Sequence, residues 1–122
     1  MLRPSPFLQK KDKWIYEGKY CFVFENEYPV VKGHVLVIPK REIEKFSSLS
    51  IEEWSEMKGL IDQYVDDCDA IGFNIGHNSG KIAGQSVAHL HVHIFPHFEG
   101  SPGMPKGGYC LAFGDLPDYY QN

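Results

Sequence analysis

A chain of 122 residues with 43% hydrophobic and 23% charged residues has the size and balance of one globular domain, which argues against two independent cores. Twelve Lys and Arg against sixteen Asp and Glu leave a formal charge of -4, opposite to that of a protein wrapped around duplex nucleic acid, so any anionic ligand has to be held locally. No apolar run reaches the ~20 residues that cross a bilayer, and Met1 to Gln9 lacks a signal-peptide core, so the expectation is a cytoplasmic protein with no membrane partner. Cys21, Cys68 and Cys110 are odd in number and widely spaced, against both a disulfide framework and a thiolate zinc site.

In chain order, residues 1–12 read as a loose lead-in. Trp14-Ile15-Tyr16 and Lys19 to Phe24 flank Glu17-Gly18 as a β-hairpin, and the second run is apolar on both faces, as suits a strand covered on two sides. His34 to Ile38 forms a third strand, stopped by Pro39, which cannot donate to the next ladder bond. Lys40 to Phe46 is read as a short helix. Ser50 followed by Glu53 is a capping-box pattern, and Ile51, Trp54, Met57, Leu60, Ile61, Tyr64, Val65 and Cys68 then recur at helical spacing as one apolar stripe. Ile71 to Gly76 and Ala88 to Phe95 alternate with period two as two further strands. Consecutive strands with one long helix predict an α+β domain, an antiparallel sheet with the helix on one face. A domain this small also gains from a partner subunit, so a homodimer is expected.

His89, His91 and His93 occupy alternate positions of the last strand, which puts all three on one face while Leu90, Val92 and Ile94 enter the core. His34 on the third strand borders that face. Clustered imidazoles repel as they charge, so such a cluster points to a metal site or an anion site. Strand residues i and i+4 stand roughly 13 Å apart, whereas Zn–N bonds are about 2 Å long, so the three together cannot chelate one ion. A two-histidine site with His34 stays open. The anion reading gains from Gly76 to Ser86, a Gly-spaced polar loop whose backbone N–H groups, with Asn78, Gln85 and Ser86, can meet phosphate oxygens.

The run His89-Leu90-His91-Val92-His93-Ile94-Phe95 resembles the signature of the histidine triad nucleotide-binding proteins. Tyr28 to Lys40 resembles that family's upstream histidine strand, Gly84-Gln85-Ser86-Val87 resembles its loop before the triad, and a weaker echo falls at Lys106-Gly107-Gly108. The resemblance implies two subunits that join five-stranded sheets, and an enzyme that cleaves nucleotides at the α-phosphate. His91 matches the nucleophile. Its neutral nitrogen would attack the α-phosphorus and form a nucleotidyl-histidine, which water hydrolyses to a nucleoside monophosphate. Protonated His93, backbone N–H groups and Ser86 would compensate oxygen charge, with His34 and His89 orienting or charging the cluster.

By the same carry-over Asn26 holds the ribose hydroxyls, Asn78 matches a polar residue thirteen before the nucleophile, and Gln85 and Ser86 contact phosphate or leaving group. Phe7, Phe22, Phe24, Val37 and Ile38 are candidates for a base pocket or for plain core. His97 stands where several relatives carry Arg. Gly114 to Tyr120 either reaches the site or frays. The implied substrate is a purine nucleotide or dinucleoside polyphosphate, with a phosphoramidate as the alternative. No cofactor is required, Mg²⁺ entering only as a substrate counter-ion. Two other classes compete: a nucleotide-binding module with vestigial activity, and a metal sensor.

Overall fold

A computed structural model describes residues 4–105, 108, 113 and 114. Lys106, Gly107, Cys110 and residues 115–120, where several expectations fall, lie outside the described residues. Five strands, β1 (Trp14–Glu17), β2 (Cys21–Glu25), β3 (Val35–Pro39), β4 (Gly72–Gly76) and β5 (Val92–His97), form one antiparallel sheet in the order β1-β2-β3-β5-β4. With one long helix, α2 (Ile51–Asp67), and one short helix, α1 (Pro6–Gln9), this is the expected α+β architecture.

β2 and β3 are buried on both faces because each supplies apolar residues alternately to two cores. Cys21, Val23, Val35 and Val37 pack with Met57 and Leu60 of α2. Phe22, Phe24, Leu36 and Ile38 pack on the opposite face under Phe7 of α1. Burial pushes the Cys21 thiol up to about 12, so it acts as a small core residue and not as a nucleophile.

Helix α2 starts where the capping box places it. Ser50 Oγ accepts from Glu53 N–H at 3.0 Å, and Glu53 Oε1 accepts from Ser50 N–H at 2.9 Å. The buried face runs Glu53, Met57, Leu60, so the stripe begins later than its spacing suggested: Ile51 is 79% and Trp54 42% exposed. Glu53 occupies the first core-facing position because Arg41 forks it, Nε to Oε2 at 3.0 Å and Nη2 to Oε1 at 2.7 Å. That pairing holds the Glu53 carboxyl down at about 2.

Two local expectations are corrected. Lys40 to Phe46 is not a helix; one 3₁₀ turn, Phe46–Ser48, follows an irregular stretch. The carbonyls of Ile43 and Glu44 accept instead from Leu90 N–H and Gln85 Nε2–H, so they are not offered to a helical ladder. The short helix lies at Pro6–Gln9, in the segment read as a loose lead-in. Ser5 Oγ caps it by accepting from Phe7 N–H at 3.3 Å, and Phe7 is 7% exposed.

Candidate active site

The histidine run is only partly strand. Regular pairing between β3 and β5 begins at Val92 and ends at Ile94, and β4 reaches β5 as far as Gly76 opposite His93. Ahead of it, the chain is drawn sideways by Leu90 N–H on the Ile43 carbonyl at 2.7 Å. Leu90, Val92 and Ile94 enter the core as the alternation requires. The three imidazoles, however, do not share one surface.

His89 is the one that departs. Its Nε2 donates to the Pro39 carbonyl at 2.6 Å, and the ring is 1% exposed beside Ser5 and Glu42. Burial holds it below the usual histidine range, so it is neutral at pH 7 and supplies no charge to the cluster. The imidazoles that do converge are His34, His91 and His93. Ring centroids of His34 and His93 are 5.1 Å apart, and those of His91 and His93 5.2 Å.

The tautomers follow from which partners can only donate or only accept. His91 Nδ1 lies 2.8 Å from the carbonyl of His89, so Nδ1 carries the proton and Nε2 keeps its lone pair. Val30 N–H donates to His34 Nδ1 at 3.2 Å, so the neutral His34 is protonated at Nε2. That Nε2–H donates to His93 Nδ1 at 2.9 Å, which leaves His93 protonated at Nε2. The cluster thus carries one nitrogen lone pair on His91 and one N–H on His93.

Burial keeps His91 and His34 below the usual histidine range. Burial, reinforced by the neighbouring His91, His34 and His77, lowers His93 to about 4. The expected cationic His93 is therefore corrected: it is a neutral donor at pH 7, and a second proton there requires the field of an anionic substrate.

His91 and His93 line a cleft of about 270 Å³, near the lower end of small-molecule sites, with Phe7, Phe24, Leu36 and Ser86. Of the residues considered for a base pocket, Phe7 and Phe24 stand at the cleft wall. Phe22 and Ile38 belong to the core on the same side of the sheet, and Val37 faces α2. Phe7 also packs edge-on against the His91 ring at 5.2 Å. A Lys10–Glu27 ion pair joins α1 to the chain after β2 at the rim.

Asn26 lines the same cleft. Its Oδ1 accepts from Tyr28 N–H at 3.1 Å, which aims Nδ2 at His34 Nδ1, 3.3 Å away. Ser86 is exposed at the cleft wall. Gln85 is not: its Oε1 accepts from Gly80 N–H at 2.9 Å and its Nε2 donates to the Val87 and Glu44 carbonyls, so the amide holds the loop together. Asn78 is exposed and donates to the Gly84 carbonyl at 3.3 Å. Gly84 has φ +96, a conformation side chains rarely adopt, and turns the chain into Gln85 and Ser86. His97 Nε2 lies 2.6 Å from Asn74 Oδ1; the oxygen only accepts, so Nε2 carries the proton and donates it. Sequence reasoning gave no role to His77, whose Nδ1 lies 3.2 Å from the His91 carbonyl.

Among the described residues, no group of three or more His, Cys, Asp or Glu is placed to hold a metal ion, and no helix is long and apolar enough to cross a membrane. The sequence profile of the HIT domain matches residues 8–100. The chain is 35% identical over 99 residues to an uncharacterized HIT-like protein of Methanocaldococcus jannaschii, covering 79% of this chain and 77% of that one. It is 33% identical over 99 residues to the bis(5'-adenosyl)-triphosphatase of Dictyostelium discoideum, covering 75% of this chain and 64% of that one. The crystal structure of a HIT family protein from Bacillus anthracis superposes with a TM-score of 0.72 at 28% identity, covering 82% and 77% of the two chains. A histidine strand beside a cleft, a matching profile over most of the chain and relatives of this similarity lead to one conclusion: the chain belongs to the histidine triad (HIT) family.

Proposed function

We propose that the protein is a nucleotide hydrolase that cleaves at the α-phosphate, with dinucleoside polyphosphates as its substrates and His91 as its nucleophile. The observation that carries this reading is the His91 tautomer: the His89 carbonyl holds the proton on Nδ1 and frees Nε2, and burial keeps the ring neutral. In the first step Nε2 bonds to the α-phosphorus as the bond to the leaving oxygen breaks. His93 Nε2–H donates to that oxygen as charge develops. In the second step water attacks the same phosphorus, the P–N bond breaks, and a nucleoside monophosphate leaves. Ser86 and the loop it ends supply hydrogen bonds to phosphate oxygens, while Phe7 and Phe24 flank the base. Asn26 is the candidate for the ribose, and Asn78 for phosphate. The Dictyostelium relative named for diadenosine triphosphate supports the substrate class.

The proposal includes a homodimer. β4 is an edge of the sheet, and Ile71 beside it is 73% and Ile75 within it 43% exposed. A second copy pairing along β4 continues the sheet and covers such residues.

The test is product analysis with diadenosine tri- and tetraphosphate, an adenosine phosphoramidate and ADP, using the native protein and His91→Ala. AMP from the native protein alone, and nucleotidyl label kept on the native chain alone after an alkaline quench that spares a P–N bond, support the reading. Preference for the phosphoramidate reassigns the substrate, and nucleotide binding without turnover by either protein replaces the enzyme with a binding module. Sedimentation analysis of the native protein tests the dimer.

A further inference from the structure

Beyond Gly76 the β4–β5 ladder stops, and the carbonyl of His91 lies past its last described pair, Gly76 opposite His93. The next donor to that carbonyl is a side chain. His77 Nδ1 lies 3.2 Å from it, and since a carbonyl only accepts, His77 is protonated at Nδ1. Its Nε2 is buried and has no hydrogen-bond partner among the described residues. The ring packs against Phe46, at 6.1 Å and 29° between planes, and Phe46 in turn meets Trp54 of α2 edge-on at 5.2 Å.

The backbone around the nucleophile is therefore held by groups outside the ladder. Leu90 N–H goes to Ile43, the His89 ring goes to Pro39, and the His91 carbonyl goes to His77. The His91 ring itself depends on this backbone, because its Nδ1–H reaches back to the carbonyl two residues earlier. The His91 ring and the His89 carbonyl both precede that peptide and His93 follows it, so rotation of the peptide after His91 moves the His91 ring relative to His93, whose ring centroid is 5.2 Å away. One N–H from His77 opposes this rotation.

We infer that His77 is a positioning residue for the proposed nucleophile: by holding the His91 carbonyl it fixes the placement of the His91 ring relative to His93. The inference rests on the proposed hydrolase reading for its kinetic consequence and on the geometry alone for its structural one. His77 touches no reacting atom, so its loss slows the chemical step and leaves substrate binding in place.

Three variants test it. His77→Leu removes the donor, His77→Asn places an amide N–H where Nδ1 stood, and His77→Gln carries that N–H too far out. Misplacement of a reacting group by about 1 Å costs on the order of 100-fold, so His77→Leu is expected to lower kcat by about 10- to 100-fold with KM within about twofold. His77→Asn is expected to restore most of kcat and His77→Gln is not. Long-range ¹H–¹⁵N imidazole spectra should show His77 protonated at Nδ1 in the native protein, and the ¹H–¹H NOE contacts between the His91 and His93 rings should weaken in His77→Leu. Native kcat in folded His77→Leu, an effect on KM alone, or equal kcat for the Asn and Gln variants overturns the inference. If His77→Leu does not fold, the Asn and Gln pair decides. If the native protein turns over none of the nucleotides, the hydrolase reading fails separately, and the spectra decide: unchanged contacts between the His91 and His93 rings in a folded His77→Leu or His77→Gln protein overturn the role of His77, and weakened ones support it.

Discussion

His34 Nε2 stands 2.9 Å from His93 Nδ1, and the Val30 N–H on the far side of the His34 ring determines the direction of that hydrogen bond. The Val30 amide, four positions before His34 and 63 before His93, decides which nitrogen of His93 presents a proton, and it acts through His34. Replacing His34 with Leu frees both His93 tautomers. The expected result is a loss of about 10- to 100-fold in kcat, part of the roughly 10²- to 10⁴-fold that a positioned acid contributes, with partial recovery in His34→Gln, whose amide N–H can reach His93. Steady-state kinetics with ¹⁵N spectra of the His93 ring check it, and an unchanged ring tautomer in His34→Leu overturns it.

Acid should weaken the fold in two stages. His93 is held at about 4, below the 6.5 of a free imidazole, so between those values the unfolded chain binds a proton that the folded chain does not. His34, His89 and His91 are shifted in the same direction. Stability is complete above pH 6.5 and declines as pH falls toward 4. Glu53, held at about 2 against an ordinary 4.5, adds a further loss from 4.5 down to 2. Urea midpoints from pH 8 to 3 check the sign; His93→Gln should flatten the upper stage alone, and a midpoint that rises on acidification contradicts the assignment.

The acid limb of turnover follows from the same neutral rings. As the proposed nucleophile His91 needs its lone pair, and burial lowers its pKa, so kcat/KM should hold level from pH 8 to 6.5 and fall only below. A pH–rate profile on diadenosine triphosphate checks this, and an acid limb centred above 6.5 rules out a buried neutral His91 as the titrating group.

Glu56 locks α2 to the β1–β2 turn. Its carboxylate accepts from the backbone N–H groups of Lys19, Tyr20 and Cys21 at 3.1, 2.7 and 2.6 Å. Glu56→Ala strands donors at the edge of the core and is expected to cost about 2–3 kcal/mol. Gly18 has the same partner, since a Cβ there would stand 2.2 Å from Glu56 Oε1. Gly18→Ala should therefore destabilise through Glu56, and the double variant should lose less than the sum of the two. Urea unfolding of the three proteins measures the difference; strict additivity separates the two residues.

What the sequence made legible was mostly local. Ser50 and Glu53 start a helix by bonding to each other three residues apart, and the alternation around Leu90, Val92 and Ile94 sends those side chains inward. Long-range partners decided the rest. His89 leaves the cleft because Pro39, fifty residues earlier, accepts its ring N–H. Lys40 to Phe46 is unwound because its carbonyls serve Leu90 and Gln85. Gln85 shares the motif with Ser86, yet only Ser86 lines the histidine cleft, since the Gln85 amide is taken up by three backbone groups. His77 follows a strand by one residue and has no pattern of its own; only the β4–β5 register brings it beside the His91 carbonyl.

The bond from Leu90 to Ile43, and that from His89 to Pro39, close loops of 47 and 50 residues. Loops of that length are costly to close before the surrounding sheet exists, so contacts of this kind form late when a chain folds. Helix α2, with its own cap, can form from neighbours in sequence. On refolding, the helical signal should thus return ahead of the geometry around His91, and a chain caught between the two stages holds its secondary structure while its chemistry is still unassembled.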